Sequence, residues 1–147
     1  MNRIHPSRLL ASTVIGVPAE VGGGLLTVEH VGVVASLQDQ QGLPFVYNAS
    51  KRTGRIMLDS WAEFTQRREG RVLDVRGALD ADEVLRRAHS RLGERWNLVF
   101  SNCEHYVRWC HDLDEESPQL QKGLVVAGGL VALGGLVIAA IATADEG

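Results

Sequence analysis

The chain has 147 residues, 45% of them hydrophobic and 22% charged, a length suited to one domain. Fifteen Lys and Arg against eighteen Asp and Glu give a net charge of -3. This balance excludes the basic excess that nucleic-acid binding requires, so no nucleic-acid partner is expected. Two cysteines, Cys103 and Cys110, exclude a disulfide scaffold. On one helix their Cα atoms would stand about 10 Å apart, beyond disulfide reach, so two free thiols in a reducing compartment are expected. Residues 1–11 lack the apolar run of a signal peptide.

Residues 9–17 are apolar and β-leaning, and Pro18 is expected to close that strand. Gly22, Gly23 and Gly24 mark a turn. Residues 25–35 read as a strand, 38–42 as a polar loop, 45–47 as a short strand, 51–54 as a turn and 55–58 as a third short strand. Ser60 and Glu63 have the spacing of a capping box, which predicts a helix with Trp61, Phe64 and Thr65 on one face. Residues 71–75 read as another strand. Asp80 and Glu83 begin a second helix that carries Val84, Leu85, Ala88 and Leu92 on one stripe. Ser101 and Glu104 form a third box, opening a helix through Val107, Cys110 and His111 that ends near Asp112. Residues 112–117 are acidic and polar, and Pro118 breaks what precedes it.

These elements describe an α+β domain over residues 1–117: a small antiparallel sheet with helices packed on it. A linker follows at 118–122, then an apolar segment at 123–144. That segment has 22 residues without a charge, enough to span ~30 Å of hydrocarbon. Gly128, Gly129, Gly134 and Gly135 lower helix propensity in water but are tolerated in membranes. Gly123, Ala127, Val131 and Gly135 recur at four-residue spacing, a small face suited to a homo-oligomer. A C-terminal transmembrane or membrane-inserted helix is expected; a helix packed in an oligomer, or a helical hairpin, is the competing reading. Arg108 and Lys122 precede the segment and only Asp145 and Glu146 follow it, so the preceding domain is expected on the cytoplasmic side.

Cys103 falls in the first turn of its predicted helix, where unpaired N–H groups and the helix dipole favour an anion. The expectation is a thiol that titrates below its free value; the competing reading is a small buried hydrophobe. A nucleophilic thiol needs a base. The chain offers His5, His30, His89, His105 and His111. His105, two residues on, points away from Cys103 on a helix. His30 stands alone among Val and Leu on a predicted strand, a placement shared by structural and functional polar groups. Cys103, His105, Cys110 and His111 cluster in sequence, but their helical spacing does not converge on one ion, so no metal is expected. No cofactor is implied.

The run Asn102-Cys103-Glu104-His105-Tyr106-Val107 closely resembles the Cys motif of lecithin:retinol acyltransferase (LRAT)-like and H-rev107-type proteins, a permuted branch of the NlpC/P60 thiol hydrolases. The strand around His30-Val31-Gly32-Val33 resembles that family's His strand, and residues 46–54 its next strand and glycine turn. The resemblance spans about residues 12–112 and implies a permuted papain-like fold. It implies Cys103 as nucleophile and His30 as general base, passing an acyl group through a thioester on lipid ester or amide bonds. The Cys103 backbone N–H would contribute to an oxyanion hole. Many members carry a second His where this chain reads Tyr47-Asn48. Strand alternation lets only one of these two face His30; Asn48 is preferred and Tyr47 is the alternative. Asn102, Glu104 and His105 are read as supporting the motif. An NlpC/P60-like amidase or peptidase of the broader thiol-hydrolase group is the first alternative. A membrane-anchored binding module with a vestigial Cys–His pair is the second.

Overall fold

A computed structural model describes residues 4–21, 23–96 and 102–113. After a 3-10 turn at Pro6–Arg8, the described elements are β1 (Val14–Val21), β2 (Leu26–Gln38), β3 (Pro44–Ser50), β4 (Arg55–Asp59), α1 (Trp61–Thr65), β5 (Arg71–Leu73), α2 (Ala81–Ser90) and α3 (Asn102–Cys110). The strands form one sheet in the order β4-β3-β2-β1-β5, with every neighbouring pair antiparallel. The architecture is thus α+β with a small antiparallel sheet.

Period-two alternation along β2 gives the sheet two faces. Val31, Val33 and Ala35 pack with Tyr47, Ile56 and the α2 and α3 side chains Val84, Ala88, Tyr106 and Val107. Val34 packs on the opposite face with Ile15, Val17, Val46 and Phe64 of α1. Each fully buried aliphatic side chain contributes about 1.5–3 kcal/mol, so the α3 face supplies most of the apolar stabilisation. Two of the three helix starts read from the sequence, those at Ser60 and Asp80, are capped as the chemistry requires. Ser60 and Glu63 form a reciprocal capping box, and Asp80 accepts from the Glu83 N–H at 2.9 Å. The left-handed Gln66, at φ 49°, ends α1 after five residues.

Several boundaries differ from the sequence reading. Pro18 does not close β1: the strand starts later, at Val14, and runs through Pro18 to Val21. The odd-numbered residues of β1 bond to β2, as Thr13 does to Val34, so Pro18 turns its backbone to the outer edge. There β5 reaches only as far as Gly16, and no ladder N–H is needed. The Pro18 carbonyl on that edge accepts from the Arg68 guanidinium. β2 and β3 are longer than their apolar runs because neighbouring strands pair their polar ends. β5 is shorter than residues 71–75 because its pairing with β1 covers three residues. Leu92 lies beyond the end of α2 and is exposed, so the buried stripe is Val84 and Ala88, with Leu85 half-buried. α3 ends at Cys110, one residue short of His111, and the left-handed Asp112 (φ 56°) follows.

The chain divides into two units, Met1–Glu115 and Glu116–Gly147, and every described element belongs to the first. Among the described residues no helix is long and apolar enough to cross a membrane. The apolar segment 123–144, its linker and the Ser101 cap lie outside the described residues.

Candidate active site

β2 and β3 are paired from Gln38–Pro44 to Gly32–Asn48, and their pairing ends there. Gly32 permits the close approach. A Cβ at this position would stand 2.5 Å from Val46 Cγ1 and 2.8 Å from the Tyr47 carbonyl oxygen. Even-numbered residues of β2 bond to β1, so the Glu29 C=O and the Val31 N–H are directed to the β3 side, just past the last β2–β3 pair. The Cys103 thiol meets the strand here. It donates to the Glu29 carbonyl at 3.7 Å, and the Val31 N–H points at the sulfur. Cys103 therefore reaches β2 from the α3 face and touches the backbone on either side of His30.

The His30 ring lies on the other face, tilted against Phe64 with centroids 5.0 Å apart. Its Nε2 is 3.1 Å from Asn48 Oδ1. The Asn48 amide nitrogen donates to the Val46 carbonyl at 3.2 Å and to Asp59 Oδ2 at 3.1 Å. A backbone carbonyl only accepts, so the amide nitrogen must face Val46 and the oxygen must face His30. His30 then carries its proton on Nε2 and a lone pair on Nδ1. That Nδ1 is buried and has no hydrogen-bond partner. The neighbouring Tyr47 points to the opposite face, where its hydroxyl meets His89 Nδ1 at 3.0 Å. Of the two orienting candidates, Asn48 is the one in contact with His30.

The electrostatics correct one expectation. Burial pushes the Cys103 thiol above its ordinary value, and Glu104 adds to that rise; the Val31 N–H and Lys51 act in the other direction. Cys103 is only 5% exposed, and desolvation outweighs the helix terminus. Burial likewise lowers His30, with Lys51 adding to the effect and the Asn48 bond and Asp59 opposing it. Both shifts favour the neutral forms, thiol and imidazole, at neutral pH.

Of the remaining motif residues, Glu104 touches the Cys103 thiol through its backbone N–H. α3 begins at Asn102. Glu104 is buried, and His105 is half-buried with Nε2 unpartnered. Cys110 lies in the core beside Tyr106, its thiol pushed up to about 12 by burial. His111 donates from Nε2 to the Ser12 carbonyl at 3.1 Å. Both cysteines are free. Among the described residues no group of three or more His, Cys, Asp or Glu side chains gathers as a metal site.

Asp59 has no place in the sequence reading. It closes β4, eleven residues from Asn48, and only the register Val46–Asp59 brings it diagonally across from the amide. Arg52 Nη2 is 3.4 Å from its other oxygen. On this face a cavity of about 100 Å³ opens beside His30, Asn48, Asp59, Phe64 and Lys51.

A family model described as lecithin retinol acyltransferase matches residues 27–114, more than half of the chain. The match covers His30, Asn48, Asp59 and Cys103, and the members of that family are typically acyltransferases. Comparison with curated proteins finds no match.

Proposed function

Because the chain belongs to the lecithin retinol acyltransferase family, we propose that it is a thiol acyltransferase or hydrolase with Cys103 as nucleophile, His30 as general base and Asn48 as the group that orients His30. One observation carries the reading: the Cys103 thiol sits on the backbone flanking a histidine whose buried Nδ1 holds an unshared lone pair. With thiol and imidazole both neutral at rest, the proton moves as the sulfur attacks. Because the thiol reaches β2 from the α3 face and the His30 ring lies against Phe64, the two side chains must meet past the end of the β2–β3 pairing, where the thiol leaves the Glu29 carbonyl and gives its proton to His30 Nδ1. The sulfur then bonds to the acyl carbon, with the Cys103 N–H at the start of α3 facing the developing oxyanion. The imidazolium returns the proton to the departing alcohol or amine, leaving a thioester. Water or a second nucleophile then gives its proton to His30 and takes the acyl group, and the thiol is regenerated.

The substrate class we propose is a lipid ester or amide. The 22 uncharged residues at 123–144 support a membrane anchor, which would hold the domain on the cytoplasmic side at high local lipid concentration. The small-residue face of that segment supports self-association within the membrane. The order of His strand before Cys helix supports the kinship with permuted NlpC/P60 hydrolases.

The thiol's bond to a backbone carbonyl instead of the ring favours a second reading, a non-catalytic anchored module. Intact-mass analysis after incubation with a short-chain phosphatidylcholine separates the two. We expect an acyl adduct that disappears in Cys103→Ala and forms at least 100-fold more slowly in His30→Ala. No adduct in either would establish the second reading, and equal adduct formation in wild type and His30→Ala would remove His30 as the base.

A further inference from the structure

We propose that Asp59 is a positioning residue that acts through Asn48, holding His30 in the tautomer protonated on Nε2 with its lone pair on Nδ1. The proposal rests on the reading of His30 as the base only for its effect on rate; the tautomer itself follows from the hydrogen bonds. The chain of contacts runs Asp59 Oδ2 to Asn48 Nδ2 at 3.1 Å, then Asn48 Oδ1 to His30 Nε2 at 3.1 Å. An amide is ambiguous as an orienting group, since its two ends differ only in which donates. Turned over, Asn48 would present its NH2 to His30 and would move the ring proton to Nδ1, removing the lone pair a base needs.

Two acceptors fix the amide: the Val46 carbonyl at 3.2 Å and the Asp59 carboxylate. Only Asp59 is a side chain. It is 5% exposed, in a setting where an unpaired acceptor is costly, so its bond to Asn48 strongly favours one orientation. Arg52 Nη2 holds the second carboxylate oxygen at 3.4 Å and leaves Oδ2 directed at Asn48. A carboxylate accepts but does not donate, so it selects one end of the amide. The relay also confines negative charge two bonds away from the imidazole, with a neutral amide between them.

The test uses the full chain and nitrogen-15 NMR of the imidazole, with the acylation rate of Cys103 as a second readout. Wild-type His30 is expected to show the Nε2–H tautomer above its titration range. In Asp59→Ala the single tautomer gives way to a mixture, and acylation slows about tenfold, the value of one hydrogen bond. Asp59→Asn keeps the size but can turn its NH2 toward Asn48, so it loses the selection and is expected to give a tautomer mixture and slowed acylation like Asp59→Ala. An Nδ1–H tautomer in wild type would overturn the proposal, and this measurement needs no variant to fold. A pure Nε2–H tautomer in Asp59→Ala with an unchanged rate would overturn it as well. If the tautomer shifts as expected while His30→Ala acylates like wild type, the positioning by Asp59 stands and the assignment of His30 as base falls.

Discussion

His30 Nε2 donates to Asn48 Oδ1 at 3.1 Å across the β2–β3 junction, while Tyr47, one residue before Asn48, directs its hydroxyl to His89 on the opposite face. The two adjacent residues are thereby separated in role by the pleat of the strand. Asn48→Ala should slow Cys103 acylation about tenfold, the worth of the lost orienting bond. Tyr47→Phe should leave the rate within about twofold, since it removes only the hydroxyl contact with His89. Parallel kinetics of the two purified variants checks this; equal losses in both would mean that the effect is one of packing.

Burial raises both thiols, Cys110 to about 12. At neutral pH iodoacetamide should therefore modify Cys103 more slowly than it modifies free cysteine, and Cys110 hardly at all. The Cys103 rate should still be climbing above pH 9, its ordinary titration value. Peptide mapping after timed alkylation reads each site separately. A plateau below pH 8 would reveal a thiolate–imidazolium pair instead of the neutral resting pair.

Gly32→Ala places a methyl group against Val46 Cγ1, the Tyr47 carbonyl and, at 3.0 Å, Phe64 Cε2. A backbone oxygen cannot rotate away, so β2 and β3 must separate. A loss of about 1–3 kcal/mol in urea unfolding is expected. The same separation pulls Asn48 from His30, so acylation should fall in the folded variant too. Unchanged stability would contradict the contact.

Burial lowers both His30 and His111 below their ordinary value of 6.5. In the unfolded chain each takes a proton as the pH falls through 6.5, whereas in the folded chain each resists until lower pH. The unfolded state then binds more protons, so stability is present above 6.5 and is lost as the pH falls toward the folded values. The urea midpoint should drop between pH 7.5 and 5.5, and His30→Phe should make that drop shallower. A midpoint that rises on acidification would reverse the assigned sign.

The sequence by itself determined the local devices and the cast of the site. Period-two apolar runs placed the strands, and Ser60 and Asp80 marked helix starts, because caps and alternation depend on neighbours a few residues away. The run from Asn102 to Val107, with His30 on an earlier strand, pointed to Cys103 and His30, and alternation reduced the third group to Asn48 or Tyr47. Tertiary structure decided what depends on distant segments. Pro18 remains in β1 because its outer edge lies beyond the end of β5. Asp59 reaches Asn48 only through the β3–β4 register. The sign of the Cys103 shift also belongs to this level. A helix start favours a thiolate in isolation, but the sheet and core that cover Cys103 remove water from it, and desolvation outweighs the local dipole.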